Sequence, residues 1–215
     1  MDEMTTVVFF ISIGVILIAA AIIAVLCLTN KRLSTRALAT AGVSLALSFV
    51  LSLIKVSPVT YGGSITLASM LPIIIFAYIY GFFPALITGI IFGLMQFLSS
   101  PYVLTPFTFL LDYVYAFGFI FVVPLVKKAI KNKTAAIIIG ICAAYLGRFI
   151  MHFVSGIIYF NMGAVWAELP AKTAVGYSLL YNVIYLVPDF LITAISAFAL
   201  SKLKVIDNLE KLAER

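Results

Sequence analysis

Apolar stretches long enough to cross a bilayer recur along this sequence. The first covers residues 7–28, and a spanning helix needs about 20 predominantly apolar residues. Hydrophobic residues make up 64% of the 215 residues and charged residues only 10%, a balance far from that of water-soluble domains. The sequence therefore predicts an all-α integral membrane protein without a separate soluble domain.

Turns and charges divide the apolar sequence into seven predicted spans. They cover residues 7–28, 37–54, 65–80, 85–99, 107–126, 134–158 and 177–201. Eleven of the fourteen Lys and Arg residues fall on one side of this arrangement, which the positive-inside rule identifies as the cytoplasm. We therefore expect a multi-pass protein of the cell membrane, with its N-terminus outside and its C-terminus in the cytoplasm.

Several functional classes are disfavoured by the residues present. The net charge of +6 comes mainly from the basic clusters that set the topology, so it implies no nucleic-acid partner. Cys27 and Cys142 lie in different spans without other ligands at metal-binding spacing, which favours neither a disulfide nor a metal site. The sequence has no phosphate-binding glycine loop and no nucleophile beside a base. We therefore expect neither an enzyme nor a bound cofactor.

A carboxylate inside the fifth predicted span is the main candidate functional group. Asp112 is surrounded by apolar residues, and a charged side chain at such a depth costs about 2.5–3.5 kcal/mol. It therefore requires a partner, a water-filled cavity or a cationic ligand, and the sequence assigns it no counter-charge. Because Tyr113 follows directly, the pair favours a site for a flat organic cation. The other residues expected to face this site are His152, Asn182, Tyr177 and Tyr102.

Two residue pairs indicate how the helices pack against each other or against a partner. Arg148 and Asp189 lie in sequential spans at similar predicted depth, and we expect them to form a structural ion pair inside the bundle. Ala37 and Ala41 are spaced by four in the second span, where small side chains allow another helix to approach closely. From the spacing alone, that helix belongs either to this chain or to a partner.

Four groups of short motifs occur in the order and spacing of a known family. They are YGGSITL at 61–67 with LPI at 71–73, LLDY at 110–113, HFVSG at 152–156, and YSLLYN at 177–182 followed by Pro188 and Asp189. Over residues 35–203 the chain resembles the thiamine-specific substrate-binding (S) subunits of energy-coupling factor (ECF) transporters. The resemblance implies a six-helix substrate-binding membrane domain at 35–203. An additional N-terminal transmembrane helix and turn at 1–34 and a cytoplasmic tail at 204–215 then flank this domain.

The same resemblance implies a function and partners. It indicates a high-affinity thiamine-binding subunit in a prokaryotic cell membrane, which captures the vitamin in a pocket open to the outside. ATP-driven delivery then requires a transmembrane coupling subunit and two cytoplasmic ATPases shared among vitamin transporters. Thiamine has a permanently charged thiazolium ring and a flat aminopyrimidine, in agreement with a cation site at Asp112.

Individual residues acquire roles from the resemblance. The positions that contact the vitamin in the family correspond here to Asp112, Tyr113, His152, Tyr177 and Asn182, with Tyr102 where a further aromatic contact is expected. Phe160 stands where relatives carry a stacking Trp, which keeps a ring at that position. Ala37 and Ala41 match a small-residue motif that contacts the coupling subunit.

Three alternatives remain open from the residues. One is the same kind of subunit for another flat vitamin or a thiamine precursor, although a neutral ligand gives Asp112 no reason to be ionised at its depth. The second is a small proton-coupled secondary transporter that uses Asp112, Arg148 and His152 as a relay. The third is a structural protein of the membrane, for which polar residues gathered within the spans have no purpose.

Overall fold

Helices form most of the part of the protein that the computed structural model describes, residues 34–58 and 63–214. Within these ranges, five helices are long and apolar enough to cross a membrane. They are α1 (Thr35–Leu53), α3 (Phe82–Ser99), α4 (Pro106–Ala129), α5 (Lys133–Asn161) and α6 (Ala174–Lys202). A shorter apolar helix, α2 (Leu71–Tyr80), lies between α1 and α3, and an amphipathic helix, α7 (Val205–Glu214), follows α6. The expected all-α membrane fold is confirmed, while the predicted span at 7–28 lies outside the described residues.

The predicted span at 65–80 is wrong in its first half. Strand β1 (Lys55–Pro58) pairs antiparallel with strand β2 (Ser64–Thr66), and Ala68 follows with a positive φ of 52°. Helix α2 begins only at Leu71, and its ten residues rise about 15 Å, half the thickness of the hydrocarbon core. Seven of its ten side chains are buried. They are therefore apolar because they form the protein core, not because they face lipid.

Polar side chains fix the first turn of the longer helices. Ser34, Asn132 and Thr173 each precede a helix and accept a hydrogen bond from the backbone N–H three residues ahead, at 2.9–3.1 Å. Thr105 does the same for α4 and forms a reciprocal pair with Thr108. Such N-caps contribute about 1 kcal/mol each. They determine where α1, α4, α5 and α6 begin.

Two glycines of α3 let α4 approach its backbone. Cβ atoms at Gly89 and Gly93 would each overlap a backbone carbonyl of α4, that of Tyr113 in the case of Gly93. The part of α4 that lies against Gly93 is a π-helix over Leu110–Tyr115. Short π-helical segments inside α-helices are rare and occur frequently at functional sites. This close contact sets the position of Asp112, which lies in the π-helix.

Helix α7 is joined to the bundle through its polar face. Glu210 binds Lys127 of α4 and Lys133 of α5, both at N–O distances of 2.6 Å, and Asp207 lies 3.1 Å from Lys133. Ile206, the residue before Asp207, is only 4% exposed. The C-terminal segment is thus held against the neighbouring ends of α4 and α5.

Candidate ligand-binding site

Asp112 is buried and has a hydrogen-bond partner on each carboxylate oxygen. Its Oδ1 lies 2.8 Å from His152 Nδ1, and its Oδ2 accepts a 2.6 Å hydrogen bond from Ser155 Oγ. Two side chains of α5, about one turn apart, thus converge on Asp112 as hydrogen-bond partners, and neither belongs to a Lys or Arg that would supply the counter-charge left unassigned by the sequence. Sequence analysis does not find Ser155, since a hydroxyl in an apolar helix commonly bonds only to its own backbone.

His152 connects Asp112 to Arg148. Arg148 Nε donates to His152 Nε2 at 3.3 Å, so Nε2 is the accepting nitrogen of the ring. Nδ1 then carries the ring proton and donates it to Asp112, an assignment that follows from the hydrogen-bond network. His152 is therefore neutral, and Asp112 accepts both of its hydrogen bonds as a carboxylate.

Arg148 and Asp189, the predicted ion pair, are in contact. Arg148 Nη1 lies 3.6 Å from Asp189 Oδ2 and 3.0 Å from Met70 Sδ, and the guanidinium carbon lies 4.5 Å from the centre of the Phe117 ring. The two charged side chains are 11% and 2% exposed, so the pair is largely removed from water. Arg148 also reaches the wall of the cavity beside Asp112.

Asp189 also connects the β-hairpin to α6. Its Oδ1 accepts hydrogen bonds from the backbone N–H and the hydroxyl of Thr66, at 2.9 and 2.7 Å. Its Oδ2 accepts a 2.8 Å hydrogen bond from the Tyr145 hydroxyl. Thr66 is the last residue of β2. The carboxylate therefore helps to determine where the hairpin lies relative to the bundle.

The interior charges around the cavity do not balance. Arg148 is the buried basic group, whereas Asp112 and Asp189 are two buried acidic groups, each with hydrogen-bond partners on both carboxylate oxygens. Lys55 also borders the cavity, but it is exposed at the rim on β1. Among the described residues, the interior around the cavity thus holds one more acidic than basic side chain. A bound monovalent cation would neutralise this excess.

Tyrosine rings form most of the aromatic wall of the cavity. The lining tyrosines are Tyr102, Tyr113, Tyr159, Tyr177, Tyr181 and Tyr185. Ring centroids lie 5.3 Å apart in the stacked pair Tyr102 and Tyr159, and 5.9 Å apart in the pair Tyr177 and Tyr181. Sequence analysis misses Tyr159, Tyr181 and Tyr185. The sequence does contain a signal for the tyrosines of α6, because Tyr177, Tyr181 and Tyr185 are spaced by four and therefore lie on one face of the helix.

The remaining predicted contacts divide between the cavity wall and the layer behind it. Asn182 and Tyr113 both line the cavity. Asn182 Nδ2 donates to the α6 backbone at 2.8 Å, and its Oδ1 accepts from the Tyr185 hydroxyl at 2.9 Å. Phe160 does not line the cavity, and its ring packs against Tyr177 at a centroid distance of 5.5 Å. The structure thus places Phe160 behind the wall.

The cavity is small in this conformation. Its free volume is about 100 Å³, below the roughly 300–1,000 Å³ of typical ligand pockets. Gly63 and Ser64 lie at its edge and follow residues 59–62, which are outside the described ranges. A ligand with two rings therefore enters only if lining side chains move, and the stacked pair Tyr102 and Tyr159 is part of the aromatic wall.

Ala37 and Ala41 lie on the inner side of α1. Ala37 is 3% exposed and Ala41 is half-buried, so in this conformation the pair packs within the chain. The small side chains that α1 exposes are Ala39, Gly42 and Ala46 instead. Of the two interpretations of the alanine spacing, the geometry agrees with packing between helices of the same chain.

Comparisons with known proteins agree with this architecture. Residues 38–206 match the family described as Thiamine transporter protein (Thia_YuaJ). Thiamine transporter ThiT of Bacillus subtilis (strain 168) is 34% identical over 145 residues, which cover 62% of this chain and 72% of that protein. A solved structure of ThiT from Listeria monocytogenes shares the fold at a TM-score of 0.66 and 22% identity, over 82% of this chain and 96% of that one. The chain is therefore a multi-pass membrane protein that belongs to the thiamine transporter protein family, a family of transport proteins and not of enzymes.

Proposed function

We propose that this chain is the thiamine-binding subunit of an ATP-driven energy-coupling factor transporter, with the cavity around Asp112 as its vitamin site. The observation that carries the proposal is the excess negative charge inside a tyrosine-lined cavity. The names of the family and of the Bacillus subtilis relative support thiamine as the ligand.

Thiamine complements the cavity in charge and in shape. Its thiazolium ring carries a permanent positive charge, which Asp112 would neutralise inside the bundle. Its flat rings suit a tyrosine wall, because aromatic stacking and cation–π attraction each contribute about 0.5–2 kcal/mol. The hydrogen bonds from His152 and Ser155 hold the carboxylate in place and leave further lone pairs on the same oxygens for a ligand.

We assign the ligand contacts to three helices and one loop. They are Asp112 and Tyr113 of α4, His152 of α5, Tyr177 and Asn182 of α6, and Tyr102 before α4. Phe160 would act through Tyr177, against which it packs. Arg148 and Asp189 would have a structural role, in which they hold each other and the hairpin in the interior.

The proposed subunit depends on partners for energy. Its sequence contains no phosphate-binding loop, so we assign ATP hydrolysis to two cytoplasmic ATPases and its transmission to a membrane coupling subunit. The exposed face of α1 with Ala39, Gly42 and Ala46 is the proposed contact with that subunit, because small side chains allow close helix approach. The distribution of basic residues supports an N-terminus outside and a C-terminus in the cytoplasm.

One observation favours a second function, proton-coupled transport. Arg148, His152 and Asp112 form a continuous hydrogen-bonded chain in the interior. Chains of ionisable groups of this kind relay protons in pumps and secondary transporters. In the binding subunit that we propose, the same chain instead holds Asp112 in a fixed position for the ligand.

Equilibrium binding of charged and neutral ligands tests the proposal. Purified protein is titrated with thiamine and with an analogue whose thiazolium is replaced by an uncharged ring, and intrinsic fluorescence reports occupancy. We expect saturable one-site binding of thiamine and at least roughly tenfold weaker binding of the neutral analogue, about 1.4 kcal/mol. Equal affinities would show that the charge of Asp112 is not used and would favour another flat vitamin as the ligand.

A further inference from the structure

A large apolar groove lies beside α1, separate from the tyrosine-lined cavity. Its volume is about 850 Å³, and its walls come mainly from α1, α2, α6 and α7. Val43 and Leu47 of α1 are 68% and 50% exposed in this groove, and Leu209 and Leu212 of α7 are 40% and 56% exposed. Four helices thus present apolar surface that no described residue covers.

The groove has the length of a helix and lies along a peripheral one. It follows α1 from Arg36 to Leu51, about 22 Å at a rise of 1.5 Å per residue. Only 17% of α1 is buried, against 28–50% in the other four described spanning helices. Helix α1 therefore has unused packing surface on this side.

The chain itself carries an apolar segment that shortly precedes α1 in sequence. Residues 7–28 have the length of a spanning helix and lie outside the described ranges. Only residues 29–34 separate them from Thr35, the first residue of α1, and Arg36 already lines the groove. Connections of about two to eight residues are usual between neighbouring helices of a bundle. The segment would therefore return antiparallel along α1.

The segment and the groove also match in side-chain size. If the turn between the segment and α1 is centred near residue 32, an antiparallel helix would place Ala24 opposite Thr40 and Ala20 opposite Ser44. All four side chains are small, which permits the close approach seen between membrane helices. The next pairs in the same register join larger apolar side chains, namely Leu17 with Leu47 and Ile13 with Leu51. All four of these α1 positions line the groove.

We propose that residues 7–28 form a helix that occupies this groove, antiparallel to α1, and closes it against lipid. There the helix would contact Leu67 and Ala68, the turn that follows β2. This turn adjoins Thr66, which binds Asp189. The segment that is additional to the six-helix domain would thus support the hairpin at the edge of the cavity.

Cysteine cross-linking in membranes tests this placement. Ala20→Cys is combined with Ser44→Cys in a Cys27→Ala, Cys142→Ala background, and the protein is oxidised mildly. Trypsin cleavage after Lys31, Arg32 and Arg36 separates the two segments, so mass spectrometry identifies a disulfide-linked peptide pair. We expect most of the protein to carry this link, because facing small residues bring Cβ atoms within the range that a disulfide requires.

The matched control combines Ala20→Cys with Ala46→Cys, on the exposed face of α1. We expect this pair to link at least roughly tenfold less than the Ser44→Cys pair under the same oxidation. Equal linking of the two pairs would overturn the proposal, and so would no linking in either, which would leave the groove to lipid or to another protein. A disulfide that forms only between two molecules would overturn it in favour of a second copy of the chain.

Discussion

At the scale of single residues, two buried carboxylates have different surroundings and therefore different predicted roles. Asp112 borders the cavity and receives its hydrogen bonds from His152 and Ser155. Asp189 is only 2% exposed and lies beside Arg148. A substitution at Asp112 should therefore change affinity, whereas one at Asp189 should change stability.

Asp112→Asn should weaken thiamine binding without unfolding the protein. The amide keeps the shape of the side chain but removes the charge opposite the thiazolium. Loss of a charge-assisted contact costs about 1.5–3 kcal/mol, or roughly ten- to a hundredfold in Kd. Fluorescence titration measures the shift, and Asp207→Asn on α7, remote from the cavity, is the control with an unchanged Kd. An unaltered titration curve for Asp112→Asn would remove Asp112 from the site.

Asp189→Asn should destabilise the protein, because it leaves Arg148 buried without its charge partner and weakens the hydrogen bonds from Thr66 and Tyr145. Breaking a buried ion pair from one side costs roughly 3–5 kcal/mol, and neutralising both members, with Arg148→Gln added, should cost less. Thermal unfolding in detergent measures the difference. If single substitutions at Arg148 and Asp189 abolish binding and leave the unfolding temperature unchanged, the pair belongs to the ligand site instead.

At the scale of elements, the contact between α3 and α4 determines the geometry of the site. Gly93 lies against the Tyr113 carbonyl, one residue after Asp112, inside the π-helix Leu110–Tyr115. A protein interior packed at this density transmits a displacement of the backbone directly to the neighbouring side chains. A methyl group added at Gly93, which does not line the cavity, should therefore displace the neighbouring residues of the ligand site.

Gly93→Ala should lower both stability and thiamine affinity. The new Cβ overlaps the Tyr113 carbonyl, and overpacking of this kind costs about 1–3 kcal/mol. Gly42→Ala is the matched control, since a Cβ at Gly42 meets no atom within 4 Å and alanine favours the helix. Thermal unfolding and thiamine titration are measured for both variants. Equal behaviour of the two would show that the α3–α4 contact tolerates a shift without affecting the site.

Docking of α7 should weaken in acid. Desolvation raises the pKa of Glu210, but its hydrogen bonds with Lys127 and Lys133 lower the pKa further, so the net shift is downward. A carboxyl whose pKa is lower in the folded state contributes stability above its ordinary range, and this contribution is lost as pH falls through the folded value. Hydrogen exchange of the α7 amides, corrected for intrinsic rates, should therefore increase as the pH falls below the ordinary range of a glutamate carboxyl. Glu210→Gln should remove this dependence.

Local patterns in the sequence predict the long helices but not the features that arrange the site. The apolar spans and their caps are local signals, and the helices at α1, α4, α5 and α6 begin within three residues of their predicted starts. The hairpin is not predicted, because it is fixed by a hydrogen bond from Thr66 to Asp189, 123 positions away. Ser155 and the π-helix have no local signature either. Charged and aromatic residues in a span are visible in sequence, whereas their hydroxyl partners are not.

At the scale of the whole molecule, tight binding and fast delivery conflict in a single chain. A nanomolar site with an on-rate near 10⁶ M⁻¹s⁻¹ empties on the order of once in a thousand seconds. The described helices enclose the cavity among α4, α5, α6 and the hairpin, with Asp112 in its wall. A nanomolar site in this position would therefore release its ligand only through work on the whole subunit, which we assign to the proposed ATP-hydrolysing partners.

Thiamine uptake into proteoliposomes that contain only this protein tests the central claim most directly. Radiolabelled thiamine retained by the proteoliposomes is measured with and without an imposed proton gradient. It is expressed as the number of thiamine molecules per protein molecule. We expect about one thiamine per protein molecule, independent of the gradient, with no accumulation in the lumen. Accumulation beyond this stoichiometry that depends on the proton gradient would contradict the account and identify the chain as a secondary transporter.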